Sequence, residues 1–381
     1  MSAPVMELRA PAAEWSCGRL NLRQALRRAL AVVERRHTLP VLEAVQLCAG
    51  PGGLSVQATD LEVWVDAPVA GDVAVHGAGR AVMDGRAALA AVEASRADEV
   101  SGYLMPDGSA LHVAGVRVRA WHPDEYPTMP SEPERHEYTR LVFRPGAWQR
   151  VARAASQDET RHNVCGVRLE VGAGSGSAGV LVATDGHRMH VEPVETRLGP
   201  QGCHATLPAP KKLAKLIGKR DGELQVAYGD PWVWLWLDDA DGARVAFRSI
   251  ESGGEEFPNW RAVIPAGPYF GHASLDPDAL AALARLARGH RNASVVLRTT
   301  DRGRVDASLY GDEPGDPIDV RDSGAASGEP IDVRVDLGYL RDALEHAGAE
   351  ACVQTTDREG LGALIVGPRG GRYAVVMPMR K

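Results

Sequence analysis

Apolar positions along the chain keep one of two periods. Leu22, Ala25, Leu26, Ala29, Leu30 and Val33 recur at spacings of three and four, which predicts a helix over 19–36. An extended run follows from His37 through Leu47, and Pro51-Gly52-Gly53 marks a turn. Residues 54–65 alternate as a strand, interrupted at Thr59-Asp60. A strand at 79–83, a helix at 84–95 and strands around 99–105 and 109–121 come next, and the Pro-rich stretch 123–133 reads as a linker. The pattern then restarts. It predicts a strand at 140–144, a helix at 145–156, and strands at 164–171 and 179–184. Beyond them lie a strand at 203–207, a helix from Pro210, and strands at 223–228, 231–237 and 243–250. A third unit opens with a strand at 272–276 and a helix started by Asp276-Pro277-Asp278. Strands at 293–300 and 304–310 precede a loose loop over 311–329, rich in Gly, Asp, Pro and Ser. A strand at 330–335, a helix at 337–347 and strands at 350–356, 361–366 and 372–378 close the chain.

This order repeats three times, so internal repetition is the first organising feature. It is sharpest at two tripeptides: Ala58-Thr59-Asp60 follows Leu54-Ser55-Val56, and Ala183-Thr184-Asp185 follows Val180-Leu181-Val182. The expected architecture is α+β, with three similar domains at 1–138, 139–268 and 269–381. Each would carry two helices on an antiparallel sheet, because a sheet must bury its apolar face.

Charge changes the picture. The net charge of −7 argues by itself against nucleic-acid binding. Yet the helical stretches 19–36, 144–153, 209–220 and 279–291 hold seventeen of the 43 Lys/Arg and, in Glu34, one of the 50 acidic residues. Basic helices in an acidic protein would form a positive wall if the units joined in an arc with helices inside. Such a wall attracts phosphates without reading bases. No helix-turn-helix, zinc-finger or RNP motif is present.

Other features narrow the class. No apolar run approaches the ~20 residues of a membrane span, and the N-terminus lacks the basic start and apolar core of a signal peptide. Cysteines 17, 48, 165, 203 and 352 show no C-x-x-C, which suits reduced thiols in a cytoplasm. The Gly-rich stretch 172–179 leads from strand to strand, so it is a hairpin loop and not a phosphate loop. Trp232, Trp234 and Trp236 share one sheet face; with Val233, Leu235 and Leu237 on the other, a core or interface role is favoured over base stacking. His187-x-x-His190 lacks a third ligand for a metal. No cofactor is expected.

Five segments carry a family resemblance: Thr38-Leu39-Pro40-Val41-Leu42; Leu54-Ser55-Val56 with Thr59-Asp60-Leu61-Glu62; Ala183-Thr184-Asp185-Gly186-His187-Arg188; Phe257-Pro258-Asn259-Trp260-Arg261 with Val263-Ile264-Pro265; and Tyr373 with Val375-Val376-Met377-Pro378-Met379-Arg380. In this order they resemble the bacterial sliding clamp, the β subunit of DNA polymerase III. The resemblance covers the chain beyond residue ~19, leaving about a dozen extra residues at the start. It implies a head-to-tail homodimer closing a ring of six domains around duplex DNA. Such a ring is a mobile tether for the polymerase III catalytic subunit, acts by topology without a catalytic site, and is opened by a separate clamp loader.

The resemblance also implies a pocket for short partner peptides between the second and third domains. Its lining would be Val164, Thr184, Gly186, His187, Arg188, Met189, Pro258, Val263, Tyr339, Val376, Met377, Pro378 and Met379, with Arg380 at the rim. DNA contacts would fall to Arg36, Gln157, Arg161, His162, Lys211 and Lys212. The chain departs from the family at Ala262 (usually Arg), Lys381 (usually Leu) and Met189 (commonly Leu), and at Arg288 and Gly289, where two apolar residues help the dimer contact. The pocket departures suggest a divergent or second-copy clamp with altered peptide or inhibitor preference, and those at Arg288 and Gly289 bear on dimer strength.

Two other classes compete. An enzyme would draw on Asp60, Glu62, Asp185 and His187, but no G-x-x-x-x-G-K-[ST], G-x-S-x-G or H-E-x-x-H accompanies them. A monomeric peptide-binding scaffold that no longer encircles DNA is the other.

Overall fold

The computed structural model describes residues 12–105, 111–131, 138–143, 146–171, 179–197, 204–207, 216, 222–229, 232–237, 242–248, 256–312, 315–348, 351–356, 362–368 and 371–380. It is α+β, with antiparallel sheets and few helices. The chain falls into two compact units. One holds Met1–Val142, Arg197–Pro200 and Lys211–Ser252; the other holds Phe143–Thr196, Gln201–Pro210 and Gly253–Lys381.

In the first unit the strand Ala13–Gly18 alternates, with Ala13, Trp15 and Cys17 buried. It is the inner strand between Val73–Gly77 and Glu99–Leu104, in a sheet extended by Leu111–Val113 and Val116–Val118. The sequence pattern predicts no strand over residues 13–18, and the dozen extra residues at the start lie outside the described residues apart from Ala12. Trp15 fits because Gly102 faces it: a Cβ there would sit 2.3 Å from the indole and 2.3 Å from the His112 carbonyl oxygen.

A second sheet runs in the order Ala120–Trp121, Gly79–Met83, Val45–Gly50, Gly53–Thr59, Val63–Pro68, Arg244–Arg248, Trp232–Leu237, Gly222–Gly229. Helices α1 (Arg19–Ala29) and α2 (Gly85–Ala94) pack on each other, and α1 also lies on the strands Gly53–Thr59 and Val63–Pro68. Leu22 and Leu26 of α1 are fully buried, contributing about 1.5–3 kcal/mol each. Helix α1 stops short of the expected residue 36. After Ala29 the N–H groups of Ala31 and Val32 donate three residues back, to Arg28 and Ala29. The β-branched pair Val32-Val33, a type disfavoured in helices, is buried outside it. Asp84 caps α2 by accepting from the Arg86 and Ala87 N–H groups.

The Trp face is covered. Trp64 and Trp234 flank Ala246 in adjacent strands and are buried, with Met129, Trp232 and Trp236 packed against them. Trp64 meets Trp232 edge-on at 4.8 Å. The stretch expected as a linker is partly a strap: Tyr126 is buried, and its hydroxyl accepts from the Thr59 N–H and donates to the Ala44 carbonyl.

The second unit contains one run of strands: His204–Leu207, Val167–Glu170, Gly179–Thr184, Arg188–Arg197, Tyr373–Val376, Leu364–Val366, Val353–Thr355, Gly271–Leu275, Ile318–Gly328, Arg304–Tyr310, Ser294–Thr299, Asp332–Asp336. Helices α3 (Ala147–Ala152), α4 (Pro277–Leu286) and α5 (Leu337–Ala347) belong to this unit. The expected loose loop at 311–329 contains the strand Ile318–Gly328, paired on both sides. Its weak strand composition is overridden by close approach: a Cβ at Gly324 would lie 1.9 Å from the Ser274 carbonyl oxygen. The strand Arg188–Arg197 was not assigned from the sequence. The helix expected from Pro210 lies outside the described residues apart from Leu216.

Helix α5 docks on the strand Arg188–Arg197 through buried polar groups. His346 stacks on His190 at 4.5 Å, and its Nε2 lies 3.0 Å from the Val191 carbonyl. His190 Nδ1 lies 2.8 Å from the Arg150 carbonyl. Glu192 takes both Arg150 Nε and Nη2, at 3.1 and 2.5 Å. Both histidines and Glu192 are almost completely excluded from solvent. Burial, then the neighbouring His346, depresses His190 to about 3. Burial likewise lowers His346, opposed by the Val191 hydrogen bond and the Glu192 charge.

Two outcomes follow from this packing. Gly102→Ala loses about 1–3 kcal/mol of stability in urea titration, because the indole and backbone cannot both yield. For His190 the unfolded chain takes up a proton near 6.5 while the folded protein resists it, so stability is intact above that pH and declines below it. At pH 5 the loss is about 2 kcal/mol, and His190→Gln flattens the decline of melting temperature between pH 6.5 and 4.5.

Candidate functional site

The stretch Thr184-Asp185-Gly186-His187-Arg188 folds as a tight turn between the strands Gly179–Thr184 and Arg188–Arg197. The Asp185 Oδ1 accepts from the N–H groups of His187 and Arg188, at 2.9 and 3.0 Å. Thr184 Oγ1 accepts from the Gly186 N–H and donates to the Arg188 carbonyl. Gly186 is left-handed, φ +87, and a Cβ there would lie 2.8 Å from Arg161 Nη2. The upstream tripeptide builds the same turn. Asp60 Oδ1 accepts from Glu62 and Val63 N–H, Thr59 Oγ1 accepts from the Leu61 N–H, and Leu61 has φ +75. The repetition legible in the sequence is thus a repetition of Asx-turn chemistry. The carboxylates of Asp60 and Asp185, candidates under the enzyme reading, are occupied in closing these turns.

The second turn lies beside the C-terminus. Arg188 pairs with Val376, Met189 with Val375, His190 with Ala374 and Val191 with Tyr373. The Met377 N–H donates to the His187 carbonyl, and the Met379 N–H to the Arg334 carbonyl. Met189 is buried in a cluster with Val182, Val191, Phe257, Trp260, Ile365 and Val375. That cluster anchors the segment carrying Pro258 and Val263. Glu170 holds it from the other side, accepting from Trp260 Nε1 at 3.1 Å and pairing with Arg261 at 2.6 Å. Burial opposes the charge on Glu170, but hydrogen bonds from Arg168, Trp260 and Arg261 keep its pKa below the usual value.

Of the expected lining residues, Val164, Met189 and Val376 are buried. Val263, Met377 and Met379 are 52%, 42% and 40% exposed. Pro258 and Arg380 are exposed, and Pro378 is half-buried. Tyr339 on α5 is half-buried, with its ring 6.3 Å from that of His187 and nearly parallel. Exposed Met and Val side chains are of the kind that an adaptable apolar contact surface uses.

Several groups here were not anticipated. Arg188 donates to Asp342 on α5 at 2.6 Å and to the Arg153 carbonyl at 2.7 Å, and its guanidinium lies 4.5 Å from the Tyr339 ring centre. Asp342 follows Tyr339 by three residues, so both share one helix face; that spacing was the only available signal. The Arg334 guanidinium, lying over Tyr310 and bonded to Ser294 Oγ, had none.

Among the residues expected at DNA, Arg36 is exposed in the first unit, and Gln157, Arg161 and His162 are exposed after α3 in the second. Arg161 Nη1 donates to the Asp185 carbonyl at 2.8 Å, which ties it to the turn. Lys211 and Lys212 lie outside the described residues. The basic helix faces are less uniform than expected. Arg28 is buried, Arg150 is bound by Glu192, and Arg27 and Arg153 pair with Glu93 and Glu345. The acidic partners come from other segments, so a count within each helix misses them. Arg285, Arg288 and Arg291 are exposed at the end of α4.

Because the two turns share their bonds, Asp185→Ala and Asp60→Ala each lower stability by about 1–3 kcal/mol in denaturant titration, by leaving two N–H groups without their acceptor.

Residues 13–130 match the family model described as DNA polymerase III beta subunit, N-terminal domain. The β sliding clamp of Pseudomonas aeruginosa is 28% identical over 258 residues, covering 62% of this chain and 64% of that protein. The Pseudomonas putida clamp is 26% identical over 250 residues, with the same shares. The matched region thus spans under two thirds of these relatives' length. In structure, the DNA polymerase sliding clamp of Bacillus subtilis aligns with TM-score 0.83 at 19% identity, over 97% of this chain and all of that one. A sliding clamp from Pseudomonas aeruginosa bound to griselimycin aligns with TM-score 0.81 at 22% identity, over 97% and 100%. Residues 13–130 thus resemble the N-terminal domain of the DNA polymerase III β subunit, and the chain shares the sliding-clamp fold along nearly its whole length.

Proposed function

We propose that this chain is a DNA sliding clamp, a processivity factor that encircles duplex DNA and tethers the polymerase III catalytic subunit and other partners. Two copies join head to tail, each contributing three domains at 1–138, 139–268 and 269–381, in the cytoplasm. A clamp loader opens the ring. Retention is topological, so contacts with DNA are weak and blind to sequence, made by Arg36, Gln157, Arg161, His162, Lys211 and Lys212. No helix among the described residues is long and apolar enough to cross a membrane.

Partners dock by short peptides against the surface carrying Thr184, Gly186, His187, Arg188, Pro258, Val263, Tyr339, Met377, Pro378, Met379 and Arg380, over the floor of Val164, Met189 and Val376. The observation that carries this part is the pairing of residues 188–191 with Tyr373–Val376, which brings sequence-distant segments together beside exposed methionines. Ala262, Met189 and Lys381 favour an altered peptide or inhibitor preference. Arg288 and Gly289 favour a weaker dimer than in a standard clamp.

Light scattering across a dilution series gives twice the chain mass at high concentration. With a clamp loader and ATP, the protein stays on nicked circular DNA and leaves linear DNA. A monomer at every concentration, or equal loss from both DNAs, overturns the reading. A short clamp-binding peptide serves as the probe of the peptide site: Met377→Lys weakens its binding about tenfold or more, and an affinity equal to that of a standard clamp counts against altered preference.

A further inference from the structure

Arg188 does more than its turn requires. In the twin turn the equivalent position is Val63, yet the Asp60 carboxylate closes that turn with the same two hydrogen bonds. The guanidinium of Arg188 also reaches beyond its own turn. It reaches Asp342 Oδ2 on α5 at 2.6 Å, the Arg153 carbonyl after α3 at 2.7 Å and Asp185 Oδ2 at 3.2 Å, while lying over the Tyr339 ring. The Arg188 and Asp342 side chains are only 10% and 18% exposed. A charge-assisted bond so screened from water holds its geometry well. Arg341 also approaches Asp342, at 3.5 Å, and Arg153 pairs with Glu345 one turn further along α5.

We propose that Asp342 is a positioning residue of the peptide site: it fixes Arg188 against Tyr339 and thereby sets the wall formed by the Tyr339 and His187 rings. The proposal rests on the peptide-site reading above. Tyr339 and Asp342 are one turn apart on the same helix, so the bond to Arg188 holds the docking of α5 and the placement of the ring together. Without it, Arg188 keeps Asp185 and the Arg153 carbonyl but loses its tie to α5. Asp342 touches the peptide only through these groups.

The test uses the full chain, with binding of the same short clamp-binding peptide followed by calorimetry well below each variant's melting temperature. Asp342→Asn binds about three- to thirtyfold more weakly, and Asp342→Glu restores most of the affinity. Asp342→Asn combined with Arg188→Lys is no weaker than Arg188→Lys alone, because both act through one contact. In tyrosine ring-¹³C spectra, the Tyr339 signal, identified by its loss in Tyr339→Phe, moves in Asp342→Asn and returns toward its place in Asp342→Glu. If His187→Ala weakens binding while Asp342→Asn leaves both affinity and the Tyr339 signal unchanged, the proposal falls and the peptide site stands. If the unaltered chain fails to bind, or if His187→Ala and Met377→Lys bind like it, the peptide-site reading itself falls. Should Asp342→Asn not fold, Arg188→Lys carries the comparison: unchanged affinity and an unmoved Tyr339 signal overturn the proposal.

Discussion

The candidate site depends on one backbone interaction, the antiparallel pairing of residues 188–191 with the last strand, Tyr373–Val376. It joins the central hairpin to the chain's end through ladder hydrogen bonds that leave no strand edge open at that seam. Everything else follows from it by position. Met189 is pressed into an apolar cluster with Val375 and Trp260, Met377 is stitched to His187, and α5 comes close enough for His346 to stack on His190. Such a pairing suits a surface that must keep its shape while bearing exposed methionines, because the backbone carries the rigidity and the side chains can adapt.

The same arrangement occurs earlier with different chemistry. In the first unit Val63–Pro68 pairs with Arg244–Arg248 after a turn of identical hydrogen bonding. There Trp64 occupies the place of Met189, and the face is closed by indoles and Met129. One backbone solution thus supports a sealed aromatic face in one case and a partly exposed surface in the other. The side chains at the turn make the difference: Leu61-Glu62-Val63 in the first, Gly186-His187-Arg188 in the second. Only the second sends a cation across to a neighbouring helix.

Electrostatics follows a similar division. The basic residues concentrated in helical stretches do not all face outward, since Arg28 is buried and Arg150 is neutralised by Glu192. Those exposed, such as Arg36 and the arginines ending α4, suit weak attraction to phosphate, whose strength scales with the number of neutralised charges. The sliding ring proposed above would need attraction without grip, and a basic surface reduced by these pairings suits that proposal.

The sequence by itself determined what is local or repeated. Periods of two and 3.6 marked most strands and helices, because alternate side chains face opposite sides of a strand and every third or fourth shares a helix face. The tripeptides ending in Asp60 and Asp185 marked their turns, since an Asx turn is closed by neighbours two and three residues on. The family resemblance named the expected site residues but not the groups that contact them. Tertiary structure alone decided which strands pair, that residues 13–18 enter a sheet, that the Gly-, Asp- and Ser-rich stretch 318–328 becomes a strand, and that Arg188 meets Asp342 from 154 residues away. The reason is physical: these contacts join groups far apart in the chain, and no local period records a partner brought near only when the sheets assemble.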